Sequence, residues 1–280
     1  MTDTIMIKGG VKGIFSSLLL FFSLSTSMWG QAYRAYYDFI ETNAYDGTVG
    51  RDLFVLDIKD NQSLFQSYNR QKRDSIMESV VKAGGSPYNA VRMGRSLPPG
   101  SYMKVFYDAQ ENRYTLSDFG GIFFFYYHES VKGGRRWTFG AETKEVSGYP
   151  SHSARIRLYG RDWTAYYTED IPIAMGPWKL AGLPGLITEA YTVDSLYQFR
   201  LTGFEVMGSA DVKLHLNKQS REISRKEMIW IKKHADTMDT DAVESRYAPN
   251  IIKSLDKEKL ESLKPRQMQL RKRFQYIEKE

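Results

Sequence analysis

The chain has 280 residues, a formal net charge of +6 and no cysteine. It therefore has no disulfide bonds and no thiol nucleophile, and it is not expected to be a lipid-anchored bacterial lipoprotein, which needs a cysteine after its signal. Aromatic residues make up 14% of the chain and tyrosine is the most abundant of them. This composition favours β-strands over helices.

The first 32 residues predict a signal peptide. Lysines precede the apolar run 14–24, and Gly30 and Ala32 are small residues placed as in a small-x-small cleavage site. We expect cleavage before Tyr33, with a cut after Gly30 as the alternative. The apolar run is shorter than the roughly 20 residues that a spanning helix needs. The protein is therefore expected to be exported and soluble, in the periplasm or outside the cell, and not membrane-spanning.

Aromatic runs and alternating polarity predict most of the body of the chain to be β-strand. The predicted strands cover residues 33–41, 53–58, 63–68, 103–107, 112–116, 122–127, 137–139, 155–159, 163–168, 197–202 and 212–217. Between the third and fourth strands, apolar residues spaced for one helical face predict a helix over 71–82, which Gly84-Gly85 ends.

The pattern changes near residue 224. Ser224 to Glu227 is a capping box, in which hydroxyl and carboxylate satisfy free N–H groups at a helix start. A helix is predicted to continue over Met228–His234. The acidic stretch Asp236–Glu244 is predicted to be a linker. Leu270, Phe274 and Ile277 have the spacing of a last amphipathic helix, outside that linker.

The predicted fold class is mainly β: a curved antiparallel sheet or a sandwich, with one inserted helix and a helical C-terminal extension. The expected division is a signal peptide over 1–32, a β domain over 33–220 and a basic extension over 221–280. Within the extension, residues 246–280 contain ten Lys or Arg and five Asp or Glu. Because these charges are mixed in sign, a solvated helix face is favoured over an anionic partner, and no nucleic-acid binding is expected.

Residues 160–187 predict a strand, a tight return and a second strand. Within the return, Leu183-Pro184-Gly185-Leu186 fits a type II turn, in which proline presets φ and glycine supplies a positive φ. The return is strongly apolar and includes Met175, Trp178 and Leu180. Surface loops are usually polar, so this segment is expected to fold back onto the core.

The same stretch resembles a known family. Residues 182–187 read Gly-Leu-Pro-Gly-Leu-Ile, the signature of the GLPGLI family of exported proteins from Bacteroidota. Similar upstream blocks lie at 142–149, 160–168, 170–173 and 176–179. Many members carry a cysteine where this chain has Ser151. The resemblance implies export and a largely β fold; it implies neither an established molecular function nor catalytic residues.

The motif has two interpretations. A rigid buried turn that joins two strands accounts for its glycines and proline, and we favour that interpretation because these residues usually serve the backbone. The other interpretation is a binding rim that faces a ligand or partner. The candidate binding residues of that rim are Met175, Trp178, Leu183, Pro184 and Gly185.

No motif predicts catalysis or a metal site. The chain has no Gly-x-Ser-x-Gly elbow. Ser151 and His152 follow a β-like segment, and a surface loop is favoured over a catalytic dyad there, because adjacent residues of a strand point to opposite faces. The four histidines lack the spacing of metal ligands. The acidic stretch 236–244 lacks the spacing and glycine of an EF-hand. We therefore predict no catalytic residue, no metal and no cofactor.

The leading hypothesis is a non-enzymatic exported protein that binds an envelope protein or an apolar ligand. The alternative is a hydrolase whose carboxylates converge only in three dimensions, drawn from Glu129, Glu169 and Asp170. A third hypothesis is an assembly role in which residues 246–280 dock onto a partner. The sequence makes no prediction of the oligomeric state.

Overall fold

The structure is a computed structural model. It describes residues 31–121, 123–131, 134–208, 212, 214–216, 220–235, 240–247 and 275–279. The signal peptide predicted over 1–32 lies almost wholly outside these residues, so export and cleavage stay predictions. The division at residue 220 also stays a prediction.

The described residues form twelve strands and four helices. The strands are β1 (Ala32–Thr42), β2 (Val49–Lys59), β3 (Gln62–Ser67), β4 (Lys104–Asp108), β5 (Arg113–Gly120), β6 (Phe123–Ser130), β7 (Thr138–Val146), β8 (Tyr149–Leu158), β9 (Arg161–Thr168), β10 (Leu186–Thr192), β11 (Tyr197–Met207) and β12 (Arg221–Glu222). The helices are α1 (Tyr68–Lys82), α2 (Pro87–Gly94), α3 (Arg225–Ala235) and α4 (Thr240–Tyr247).

All twelve strands belong to one sheet. Their order is β12-β6-β5-β4-β3-β2-β1-β11-β10-β9-β8-β7. Two antiparallel meanders, β1 to β6 and β7 to β11, join through the pairing of β1 with β11. The short β12 is the exception, because it pairs parallel to β6. The fold is thus mainly β, with one sheet rather than the two packed sheets of a sandwich.

Alternation along the central strands places one face in the core. On β1, Ala35 and Tyr37 are fully buried, and Tyr36 between them is only half-buried. Phe54 on β2 stacks on Phe65 of β3 at 4.7 Å between ring centroids. Rings in such offset arrangements add to the free energy gained by burial. Buried aromatic rings of neighbouring strands thus pack against each other in the core.

The sheet is curled: residues at strands far apart in the strand order are in contact. Tyr159, directly after β8, donates a hydrogen bond from its hydroxyl to Glu129 Oε2 on β6 at 2.6 Å. β6 and β8 lie near opposite ends of the strand order. A flat sheet would hold them tens of ångströms apart, since neighbouring strands are about 4.8 Å apart. This curvature gives the sheet an inner side.

The observed helices agree only in part with the predicted ones. α1 contains the predicted helix 71–82, and the capping box is present, since Glu227 N donates to Ser224 Oγ and Ser224 N donates to Glu227 Oε2. Three predictions were wrong. α2 was not predicted, α4 begins at Thr240 inside the predicted linker, and Ile277 lies in irregular backbone rather than a helix. Leu270 and Phe274 lie outside the described residues.

The strand predicted over 212–217 is also wrong where the structure describes it. Val212 is buried, but residues 212 and 214–216 have no strand geometry. Alternating polarity places one side of a segment towards the core; it does not supply a neighbouring strand with which to pair. Elsewhere the predicted strands correspond to β1 to β9 and β11, with boundaries displaced by up to seven residues, most of all on β7 and β8.

Candidate functional site: the motif connection, its cleft and a buried lysine

The connection between β9 and β10, residues 169–185, is called the motif connection here. The two strands that it joins pair antiparallel, and its side chains turn inward. Trp178, Leu180 and Leu183 are at most 2% exposed. Backbone bonds hold its first part against β10, with Leu186 N donating to Ile171 O at 2.9 Å and Ile187 N donating to Met175 O at 3.1 Å. The apolar return therefore folds onto the core, as predicted.

The predicted type II turn is wrong. Such a turn needs a positive φ at Gly185, but among the described glycines of the motif connection the positive φ is at Gly182, at +88°. Gly185 is needed for a different reason: a Cβ there would lie 1.8 Å from the carbonyl oxygen of Thr168. The glycine therefore permits close approach of two backbone segments where β9 ends and β10 begins.

Trp178 is the centre of an aromatic cluster. Its ring lies 5.4 Å from the ring of Trp163 on β9 and 5.2 Å from that of Tyr159. Its φ is +55°, a conformation that costs a bulky residue about 1–2 kcal/mol. Burial of the large indole outweighs that cost. Trp178, proposed as part of a binding rim, thus lies in the core.

A cleft opens beside the motif connection, with a volume of about 360 Å³. We call it the motif cleft. Its apolar wall consists of Tyr33, Ile58, Tyr107, Pro172, Ile173 and Met175. Polar groups come from Gln31, Asp60 and Asn61. The walls come from four places in the sequence: β1, the β2–β3 turn, the end of β4 and the motif connection.

The five predicted rim residues therefore do not lie together on one surface. Met175 lines the motif cleft and Pro184 is exposed, whereas Trp178, Leu183 and Gly185 are buried. Sequence reasoning missed Tyr33, Ile58 and Tyr107, because alternation on their strands marks them as core and gives no sign that a cleft would open beside them. The run Pro172-Ile173 next to Met175 was the available signal.

A second feature on the inner side is a buried lysine. Lys179 has no exposed side-chain surface, and its Nζ lies 2.8 Å from Glu129 Oε2 and 2.8 Å from Glu278 Oε1. Nζ also donates to Tyr127 Oη at 2.6 Å. Buried cations are retained where they are paired and hydrogen-bonded, and Lys179 meets both conditions. We call these four residues the Lys179 cluster.

Burial and charge shift the pKa values around this cluster. Burial raises the pKa of Glu129, but the charge of Lys179 and hydrogen bonds from Lys179 and Tyr159 outweigh it, so the carboxyl titrates below its ordinary value. Burial raises the pKa of Tyr127, and the nearby Glu278 carboxylate raises it further. At neutral pH the Glu129 carboxyl is thus charged and the Tyr127 phenol neutral.

The structure does not bring together the three carboxylates that the hydrolase alternative needs. Glu169 and Asp170 are exposed, while Glu129 is paired with Lys179. Ser151 is buried and shares a hydrogen bond with Thr188 Oγ1 at 2.9 Å, whereas His152 is exposed on the other face of β8. In the described part of the chain, no group of three or more Asp, Glu or His is arranged to hold a metal ion.

Comparison with known protein families gives a match for the motif region but not for the rest of the chain. Residues 158–189 match a family described as "Protein of unknown function (Porph_ging)", a stretch that runs from the end of β8 into β10. The chain is also similar in structure to PNGF-II, solved in the P21 and C2 space groups. Each comparison has a TM-score of 0.48 at 14% identity, covering 72% of this chain and 33% of the PNGF-II chain.

The chain thus spans about a third of the length of that neighbour. A comparison with curated proteins finds no match. Among the described helices, none has the length and apolarity needed to cross a bilayer.

Proposed function

We propose that this protein is an exported, non-enzymatic binding protein that takes a small, mainly apolar ligand in the motif cleft. The observation that carries the proposal is the cleft itself, because the motif connection forms one wall of it. A volume of about 360 Å³ lies within the range of about 300–1,000 Å³ typical of small-molecule sites. The cleft also has the usual composition of such sites, apolar walls with a few polar groups.

The walls of the cleft are held in place by the core. Ile58 and Met175 are at most 8% exposed, and the backbone of Ala109, at the rim, donates to Asn61 O at 2.8 Å. Tyr33 donates its hydroxyl to Gln31 Oε1 at 2.8 Å. A preformed site of this kind needs little ordering when a ligand binds, which favours affinity.

The lining favours binding over catalysis. Its titratable side chains are Asp60 and two tyrosines, Tyr33 and Tyr107. Burial raises the pKa of Tyr107, so this phenol stays neutral at physiological pH. Nucleophilic catalysis needs a nucleophile next to a base, and the described lining residues do not include a serine, threonine, histidine or lysine.

A fluorescent apolar probe tests the proposal. N-Phenyl-1-naphthylamine is neutral and becomes fluorescent in apolar surroundings, so a titration gives its dissociation constant. The variant Ala109→Trp places an indole at the half-buried rim of the cleft. We expect it to weaken binding at least about tenfold, which corresponds to about 1.4 kcal/mol.

The matched control is Ala141→Trp, which adds the same side chain at an exposed position of β7 and should leave the dissociation constant unchanged. Circular dichroism confirms that both variants are folded. Absence of binding to the unmodified protein, or equal binding by both variants, would contradict the proposal.

A further inference from the structure

The five described residues nearest the C-terminus, 275–279, lie across the curled sheet as an irregular segment, called the tail segment here. At one end, the side chain of Gln275 accepts from Ala44 N at 3.0 Å and donates to Thr42 O at 2.9 Å. At the other end, Lys279 N donates to Tyr159 O at 3.0 Å. The segment therefore runs from the β1–β2 turn to the β8–β9 turn.

A buried arginine holds the backbone of the tail segment. Arg161 on β9 is 4% exposed and donates from Nε to Ile277 O at 3.0 Å and from Nη2 to Tyr276 O at 2.8 Å. Asp194 accepts from its Nη1 at 2.8 Å and orients the guanidinium. Because these bonds go to peptide carbonyls, they hold the backbone of the segment regardless of its side chains.

Two side chains of the tail segment are buried, one among apolar groups and the other next to cationic groups. Ile277 is 4% exposed within the core cluster. Glu278 is 2% exposed and accepts from Tyr127 Oη at 2.8 Å, with Lys179 Nζ at 2.8 Å and Arg225 Nε at 2.9 Å. The arrangement selects an apolar residue followed by a carboxylate.

The charges show why a carboxylate is required there. Without the tail segment, the surrounding charged groups are Lys179 and Arg225, each +1, and Glu129, −1. Arg135, whose Nη2 donates to Lys179 O at 3.3 Å, adds another +1, so the sum is +2. Lys179 is fully buried, and a buried cation is costly unless it is paired. A peptide carboxylate lowers the sum to +1 and supplies the second carboxylate partner of Lys179.

We propose that the inner side of the sheet carries a peptide-binding site that takes a short peptide with an apolar residue followed by Glu, and that the tail segment fills it in cis. The tail segment binds as peptide ligands do, through backbone carbonyls and through pockets for particular side chains. A peptide of the same pattern, supplied from another chain, would compete for the same contacts. This site is separate from the motif cleft, so neither proposal depends on the other.

Peptide competition in the full chain tests the site. The probe is a fluorescein-labelled peptide of residues 274–280, Phe-Gln-Tyr-Ile-Glu-Lys-Glu. The receptor is the full chain, either unmodified or with Ile277→Asp and Glu278→Gln, which weaken its own tail. The apparent affinity for the probe equals the intrinsic affinity multiplied by the fraction of the receptor whose site is free. We therefore expect the double variant to bind the probe at least about tenfold more tightly than the unmodified chain.

Two controls define the specificity. A probe peptide with the same two substitutions should bind neither receptor, and adding Arg225→Met to the double variant should weaken binding of the original probe. Arg225 is partly exposed, which makes this substitution compatible with folding. If a folded double variant binds the probe no better than the unmodified chain does, the proposal is overturned.

Hydrogen exchange on the unmodified full chain gives an independent measurement. A segment that leaves its site by itself exchanges through a local opening, at lower free energy than global unfolding. The amide of Lys279, bonded to Tyr159 O, should therefore exchange before the amides of β1, which pairs on both sides. Exchange of Lys279 only together with β1 would show that the tail segment is a fixed part of the core and would contradict the proposal.

Discussion

Lys179 and Glu278 form an ion pair of 2.8 Å in which neither side chain is more than 1% exposed. One residue lies in the motif connection and the other near the C-terminus, so the pair ties the motif to the tail segment. Water does not screen charges at such depth as it does at the surface, so each charge depends on its ion-pair partners for compensation. This dependence leads to the first prediction.

Lys179→Met should destabilise the protein by about 3 kcal/mol, the lower part of the range for breaking a buried ion pair. The value is not higher because Arg225 still pairs with Glu278. Urea denaturation measures the free energy of unfolding. The control is Arg157→Met, whose partner Asp162 is exposed, and it should cost under about 1 kcal/mol. Equal costs for the two substitutions would refute the burial argument.

A double-mutant cycle separates the pair from its surroundings. Lys179→Met combined with Glu278→Gln removes both charges, so the double variant should lose less stability than the two single losses added together. Residues in direct contact typically show couplings of about 0.5–3 kcal/mol. Additive losses would mean that Lys179 and Glu278 do not stabilise each other.

Gly185→Ala should be severely destabilising, at about 3 kcal/mol or more, the upper part of the range for overpacking. The added Cβ would lie 1.8 Å from Thr168 O, a backbone atom that cannot rotate away. The matched control is Gly182→Ala, where φ is +88° but the nearest atom is 3.7 Å away. There the cost should be the backbone term alone, about 1–2 kcal/mol. Thermal denaturation of both variants measures the difference, and a larger loss for Gly182→Ala would contradict the account.

The stability contributed by Glu129 should depend on pH. Burial raises its pKa, but Lys179 and Tyr159 lower it more, so the folded-state pKa lies below the ordinary value of 4.5. As pH falls below about 4.5, the unfolded chain binds a proton before the folded chain does, and the stabilisation is lost as pH passes through the folded-state pKa. It is fully present above that window.

Urea denaturation of the unmodified protein and of Glu129→Gln between pH 7 and pH 3 tests this dependence. The difference in unfolding free energy should be constant near neutrality and should shrink on acidification below about 4.5. A difference that grows on acidification would mean that the folded-state pKa is raised instead.

The sequence predicted the strands well where alternation and burial agree. On β11, polar and apolar residues alternate and the strand has two neighbours, so local pattern and tertiary pairing coincide. At 212–217 the same pattern failed, because Val212 reaches the core without a pairing partner. No sequence pattern predicts β12, which has only two residues and pairs parallel to β6.

The candidate sites were predictable only in part. Apolar residues in the return predicted that the motif connection would fold inward, and the structure confirms it. The Lys179 cluster could not be predicted, because its members come from β6, the motif connection and the tail segment, and only the curled sheet brings them together. A charged residue within an otherwise apolar return was the one local signal of it.

The most direct test of the proposed function is native mass spectrometry of the protein purified from its own host without denaturation. The account predicts a mass increment from a small bound molecule, and the loss of that increment in the Ala109→Trp variant, whose motif cleft is filled. A protein that carries no small molecule, or one whose bound molecule remains in Ala109→Trp, would contradict the claim that the motif cleft is a binding site.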